Sequence, residues 1–223
     1  MKIISAFKYY LKSISTLIFN TNFWIIPIVL IKKPILLKTS KKLNFYVKSL
    51  LDIWTIKEVV LDRCYNIHSY IKKGDVVIDI GASIGDFSIL ASKKANKVYS
   101  IEMNSKLIQL FKKNININNA KSIKIINQRL ISLNSLFQQY KINHCDFLKI
   151  DCEGSEYKIL KNTSTKTLKK IKYIAFEIHL FNNEMKKNYL WLKKNLSKNK
   201  FTLKELDNPV HDHIKFLFCE KNN

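Results

Sequence analysis

Arginine is nearly missing from this 223-residue chain: Arg63 and Arg129 stand against a net charge of +22. The positive excess is therefore lysine, scattered among isoleucines and asparagines. That pattern reads as a solvated lysine surface with no nucleic-acid partner. Glycine is scarce as well, with four in the chain. Cys64, Cys145, Cys152 and Cys219 fall at no metal-ligand or redox spacing, which argues against a zinc site or disulfide framework and favours a reducing, cytoplasmic interior. Internal repeats are absent. The apolar stretch 14–31 is interrupted by Asn20, Asn22 and Pro27, and no cleavage-site pattern follows it, so neither a membrane span nor a signal peptide is expected. What is present, 47% hydrophobic content, suits one α/β domain with a short extension.

The most informative stretch runs Val76-Val77-Ile78-Asp79-Ile80-Gly81-Ala82-Ser83-Ile84-Gly85-Asp86. A buried strand ends in an acid, and a glycine-permitted turn then opens a helix. Gly81 and Gly85 allow a tight turn and a close approach to a ligand, while Ser83 with Asp86 has the spacing of a helix-capping pair. A second strand, Lys97 to Glu102, ends in an acid 23 residues after Asp79. This is the spacing of a carboxylate that binds ribose hydroxyls. A dinucleotide pyrophosphate calls for Gly-x-Gly-x-x-Gly, and position 83 is serine rather than glycine. The loop therefore favours S-adenosylmethionine over NAD, with Asp79, Gly81, Ser83, Gly85 and Glu102 as the cofactor-binding candidates.

Strands are predicted at 75–80, 97–102, 122–127, 145–151 and 171–178, with helices at 86–95 and 105–118. This alternation predicts an α/β fold with a doubly wound, Rossmann-like, mostly parallel sheet of seven strands. The last two, 201–206 and 214–220, are joined too closely for a parallel crossover and should form an antiparallel hairpin. The first and fourth strands meet at the switch point, which turns Asp79 and Asp151 toward one cleft. Residues 1–44 read as an N-terminal helix with short strands, and 45–223 as the main domain. On that helix Ile3, Phe7, Leu11, Ile14 and Ile18 recur at helical spacing, with Lys2, Lys8 and Lys12 among them. Two readings stay open, packing on the domain and peripheral contact with a membrane.

The chain resembles the FkbM-type methyltransferases, a class I S-adenosylmethionine-dependent group. The resemblance rests on Asp79 to Ser88, the strand end at Glu102, the run Leu148-Lys149-Ile150-Asp151-Cys152-Glu153-Gly154-Ser155-Glu156, and Phe176-Glu177-Ile178-His179. Asp52 and Glu58 also match the family's lead-in. The resemblance implies O-methylation of a hydroxyl on a sugar, glycan or secondary metabolite. The chain departs from the family in a short segment between the third and fourth strands, which leaves the adenine contacts unassigned. A methyl-transferring site must align its acceptor and remove a proton. His179 or Asp151 is the expected base, with Glu177 and Glu153 orienting the acceptor. The same carboxylates could alternatively hold Mg²⁺ or Ca²⁺. Two other functions compete: an RNA-directed methyltransferase, and a non-catalytic protein that keeps the fold for association.

Overall fold

Neighbouring residues of a strand face opposite sides of a sheet, so a strand buried on both sides reads as a continuous apolar run. The segment from Val76 does this. Val77 packs into one core with Phe147, Ala175 and Phe87, whereas Ile78 and Ile80 pack into another with Leu148, Ile150 and Phe176. The structure is a computed structural model and describes residues 2–31, 33–65 and 70–222, with side chains from Ala6 onward. The expected places of Lys2 and Ile3 on the first helix's faces lie outside the described side chains.

The described elements begin with α1 (Lys2–Asn20), a 3₁₀ segment (Phe23–Ile31) and a hairpin of β1 (Ile35–Lys38) with β2 (Asn44–Val47). The hairpin's pairing crosses the expected boundary at residue 44. Next come α2 (Leu50–Ile56), a single π turn (Lys57–Leu61), β3 (Val76–Ile80), α3 (Asp86–Ser92), β4 (Lys97–Glu102), α4 (Ser105–Ile117) and β5 (Ile123–Asn127). The chain continues through α5 (Leu133–Gln139), β6 (Cys145–Ile150), α6 (Glu156–Lys161), α7 (Thr165–Leu168) and β7 (Ile171–His179). It ends with α8 (Asn183–Lys198), β8 (Phe201–Asp207) and β9 (Ile214–Lys221).

The main sheet has the order β5-β4-β3-β6-β7-β9-β8. Its first five strands are parallel, and β9 and β8 add antiparallel, as the short connection requires. The helix expected over 86–95 stops at Ser92, because the chain tightens into a turn in which the Lys94 N–H donates to the Ala91 carbonyl. Among the described residues, no helix is long and apolar enough to cross a membrane.

The N-terminal hairpin is tied to the domain through amide side chains. Asn114 of α4 is fully buried. Its Oδ1 accepts from the Tyr46 N–H at 2.6 Å, and its Nδ2 donates to the Tyr46 and Ile84 carbonyls at 3.3 and 3.0 Å. Asn118, one turn on, both accepts from and donates to the backbone of Asn44. Strand β2 thus completes its hydrogen bonding on a helix, and the link also reaches the loop that follows β3. Replacing Asn114 with alanine strands buried backbone groups and should cost about 2–3 kcal/mol. Urea unfolding of Asn114→Ala checks this, with the midpoint expected to fall at unchanged slope.

Candidate active site

The carboxyl ends of β3, β4, β6 and β7 open into a cleft of about 780 Å³. Gly81, Ser83 and Glu102 line one side of it, and Asp151, Glu153, Glu177 and His179 the other. Gly81 has φ +78°, and a Cβ there would lie 1.7 Å from the Asp151 carbonyl oxygen. No side chain can replace it without moving β6, and that close approach sets the cleft's depth. The Gly81 and Ala82 N–H groups both donate to the Ile101 carbonyl at 3.0 Å, which fixes the loop to β4. Glu102 accepts from the Ser83 and Asn104 N–H groups, each at 2.8 Å. Its remaining lone pairs are available to ligand hydroxyls in the cleft it lines.

Two expectations for this loop are corrected. Ser83 does not cap the helix: it has φ +48° within the turn, and the N-cap is Gly85 at φ +90°, where a Cβ would strike the Phe111 ring. Asp79 does not face the cleft with Asp151. It is fully buried behind it, accepting from the Ser88 hydroxyl at 2.6 Å, with Lys149 Nζ at 3.4 Å. Strand alternation is the reason: position 79 falls on the helix-covered face, opposite Lys149 in register. Asp79 and Gly85 therefore support the loop from behind, while Gly81, Ser83 and Glu102 line the cleft.

Lys149 is the residue the sequence reading passed over. Its ammonium donates to the Gly81 carbonyl at 2.9 Å and lies 3.3 Å from Asp151 and 3.4 Å from Asp79. Burial alone would lower its pKa, but Asp79 and Asp151 outweigh burial and hold it protonated. Tyr65, also missed, donates its hydroxyl toward Asp151 at 3.2 Å and Glu177 at 3.3 Å. The sequence signals for Lys149 were a basic residue inside an apolar strand and its place in the run that resembles the family, and Tyr65 gave none.

At the far side of the cleft His179 is buried, with Nδ1 3.0 Å from Glu156 Oε1 and Nε2 3.7 Å from Glu177 and 3.8 Å from Glu153. Glu156 is fully buried and accepts the Cys152 and Gly154 N–H groups at 3.1 Å, so it fixes the 152–156 loop and the imidazole together. Burial pulls the His179 pKa down, yet the Glu156 hydrogen bond and charge overcome this and push it up, to about 9. Burial, with Asp151, pushes the Glu177 carboxyl up to about 8, against the pull of His179 and Lys149. At neutral pH both shifts favour the protonated forms, a neutral Glu177 carboxyl beside a cationic His179 imidazole. Asp151, Glu177 and His179 place ligand atoms within 4.8 Å of one another, a donor set a hard divalent cation could use. The short segment after β5 also reaches the cleft, through Gln128, Arg129 and Leu130.

Fold and cleft together define a class I methyltransferase. Comparisons with known proteins agree: residues 119–222 match the methyltransferase FkbM domain, and residues 53–144 match the TRM5/TYW2 methyltransferase domain. The chain is thus similar to S-adenosylmethionine-dependent methyltransferases along two stretches, each of which spans less than half of its length. It is 52% identical over 44 residues to tRNA (guanine(37)-N(1))-methyltransferase Trm5b of Methanocaldococcus jannaschii, which is 20% of this chain and 13% of that protein. It is 27% identical over 135 residues to an uncharacterized RNA methyltransferase of Caldanaerobacter subterraneus, covering 56% of this chain and 30% of that one. The chain thus spans less than a third of the length of these two relatives. A methyltransferase of Streptococcus mutans in complex with S-adenosylhomocysteine shares the fold at a TM-score of 0.59 and 14% identity, over 73% of this chain and 97% of that one.

These relatives correct one expectation. A small-molecule or glycan hydroxyl acceptor, with no nucleic-acid partner, conflicts with matches to proteins that methylate tRNA and RNA. The acceptor was what the family resemblance implied, and the exclusion of nucleic acid rested on lysines that look scattered along the chain, but linear spacing does not decide how charge is distributed on a folded surface.

The residues present fit the cofactor, since Glu102 presents a carboxylate beside a loop that only glycine at 81 can form. Replacing Lys149 with methionine leaves Asp79 buried without its cation and should destabilise the fold by about 3–5 kcal/mol. Thermal unfolding of Lys149→Met beside Lys149→Met/Asp79→Asn checks this, with the double variant expected to recover part of the loss.

Proposed function

We propose that this chain transfers the methyl group of S-adenosylmethionine to RNA, at a nucleotide atom that gives up a proton on methylation. The observation that carries the transfer is the two-sided cleft. Gly81, Ser83 and Glu102 form its cofactor side, and Asp151, Glu177 and His179 its proton-handling side. When bound, the cofactor supplies an electrophilic methyl group. The chain's own residues must then hold the acceptor in line and take its proton. RNA is supported by the stretches shared with tRNA and RNA methyltransferases and by the +22 net charge, which favours a phosphate-bearing partner. The sequence after β6, Asp151-Cys152-Glu153-Gly154, lacks the prolines and aromatic residue of enzymes that methylate exocyclic base amines. Between the ring nitrogens and the ribose hydroxyls that remain, the proposal takes the ribose hydroxyl, in keeping with the O-methylation that the FkbM resemblance implies.

Within the proton-handling side, the base is reassigned. His179 has its Nδ1 held by Glu156 and its pKa raised, so it is the cation of the pair. Glu177, beside Tyr65 and Asp151, is the better acceptor of a proton. Glu153 is largely exposed at the rim and positions rather than reacts.

Two measurements test the proposal. Calorimetric titration with S-adenosylhomocysteine should show binding that Glu102→Ala abolishes. With labelled cofactor, bulk tRNA and rRNA should gain methyl groups that nucleoside analysis finds on ribose. Binding without transfer to any RNA would reject the acceptor and leave the cofactor site standing.

The pH dependence follows from the raised pKa values. A base must be deprotonated to act, so kcat/KM should climb through about pH 8, where Glu177 sheds its proton. His179→Gln removes a cation that pulls the Glu177 pKa down, so the rising limb should move to higher pH. Glu177→Gln should lower kcat by about 10²–10⁴-fold. Loss of the limb in His179→Gln instead would make the histidine the base.

A further inference from the structure

Helix α1 has two unlike faces. One is seated on the domain: Ser13 is buried, Leu17 packs against the core, and Tyr9 donates to Glu58 beside the cleft. The other carries Phe7, Leu11, Ile14 and Ile18, spaced four, three and four residues apart along the same helix side, and all are exposed. The following 3₁₀ segment continues the pattern. Val29 anchors it in the core, while Trp24 and Leu30 stay 68% and 70% exposed, and Phe19 at the junction 81%. Soluble surfaces seldom carry so many large apolar side chains contiguously without using them.

We propose that this face of α1 and the 3₁₀ segment is a docking surface for an anionic lipid bilayer. Charge selects the occupant. The first 51 residues hold nine lysines and no aspartate or glutamate. Lys8 and Lys12 lie on α1 itself, exposed beside the apolar row. Apolar side chains flanked by lysine, with tryptophan and tyrosine among them, match a bilayer surface, where acyl chains take the first and anionic headgroups the second. RNA phosphates would meet the lysines but leave the apolar side chains in water. A second copy, joined through the same face about a two-fold axis, would set lysines against lysines with no acid to offset them. Neither α1 nor any other described helix is long and apolar enough to cross a bilayer, so the contact lies along the surface. It goes beyond the methyl-transfer reading and does not depend on RNA.

Vesicle flotation of the full chain, without RNA, tests this. The protein should float with vesicles of phosphatidylcholine mixed with phosphatidylglycerol and stay behind with phosphatidylcholine alone. Leu11→Ser/Ile14→Ser/Trp24→Ser alters only exposed side chains away from the cleft, and should weaken partitioning on the order of a hundredfold. Lys8→Glu/Lys12→Glu should weaken it by at least about tenfold. Binding of S-adenosylhomocysteine shows that each variant is folded. No flotation with anionic vesicles, or flotation indifferent to the apolar triple, overturns the proposal. A dimer in solution that the apolar triple converts to monomer also overturns it, in favour of a second copy. RNA binding lost in the same triple, with flotation unchanged, assigns the face to nucleic acid instead.

Discussion

The ammonium of Lys149 is the interaction on which the site depends. It joins three parts of the chain that are distant in sequence: the carbonyl of Gly81 in the loop after β3, Asp79 inside β3, and Asp151 just beyond β6. A buried cation is tolerated only with partners of opposite charge and filled hydrogen bonds. Of those partners Gly81 and Asp151 line the cleft, and Asp79 lies buried behind it. Buried Asp79 accepts a hydrogen bond from Ser88 at one oxygen and faces the Lys149 ammonium at 3.4 Å with the other, and the glycine loop is drawn against β6 closely enough that Gly81 must remain glycine. The geometry of both sides of the cleft thus follows from one side chain placed in an otherwise apolar strand.

The same dependence explains what could be read in the sequence. The succession of strands, the terminal hairpin and the Gly81–Gly85 turn were legible because they rest on local signals: apolar runs, short connections and backbone freedom. Glu102 was legible for the same reason, through its spacing from Asp79. Lys149, Tyr65 and Glu156 were not, because their roles exist only across strands. Lys149 acquires its meaning from being in register with Asp79, Tyr65 from reaching Asp151 and Glu177 from outside the sheet, and Glu156 from folding back on His179. Ser83 and Asp86 show the opposite failure. Their spacing is that of a capping pair, but φ +90° at Gly85 places the helix start two residues later than that pattern assumes.

Charge is divided along the chain in a way that net charge conceals. The first 51 residues contain no acid, while acids concentrate at the strand ends around the cleft, at 79, 102, 151, 153, 156 and 177. Long-range attraction of an anionic partner and short-range handling of a proton make opposite demands on electrostatics. Separating them lets a lysine-rich exterior coexist with a cleft floor in which one buried lysine, Lys149, lies among the acids.

That floor also bears on the reaction cycle. Asp151, Glu177, Glu156 and Glu153 surround His179, and their combined field keeps the imidazole protonated despite its burial. A site with more carboxylates than cations binds a positively charged ligand more favourably than a neutral one of the same shape. The methyl donor is a sulfonium cation, and the product left after transfer is neutral. The neutral product loses that attraction, so the loss of the ligand's own charge on transfer is what favours its release from an acid-rich cleft.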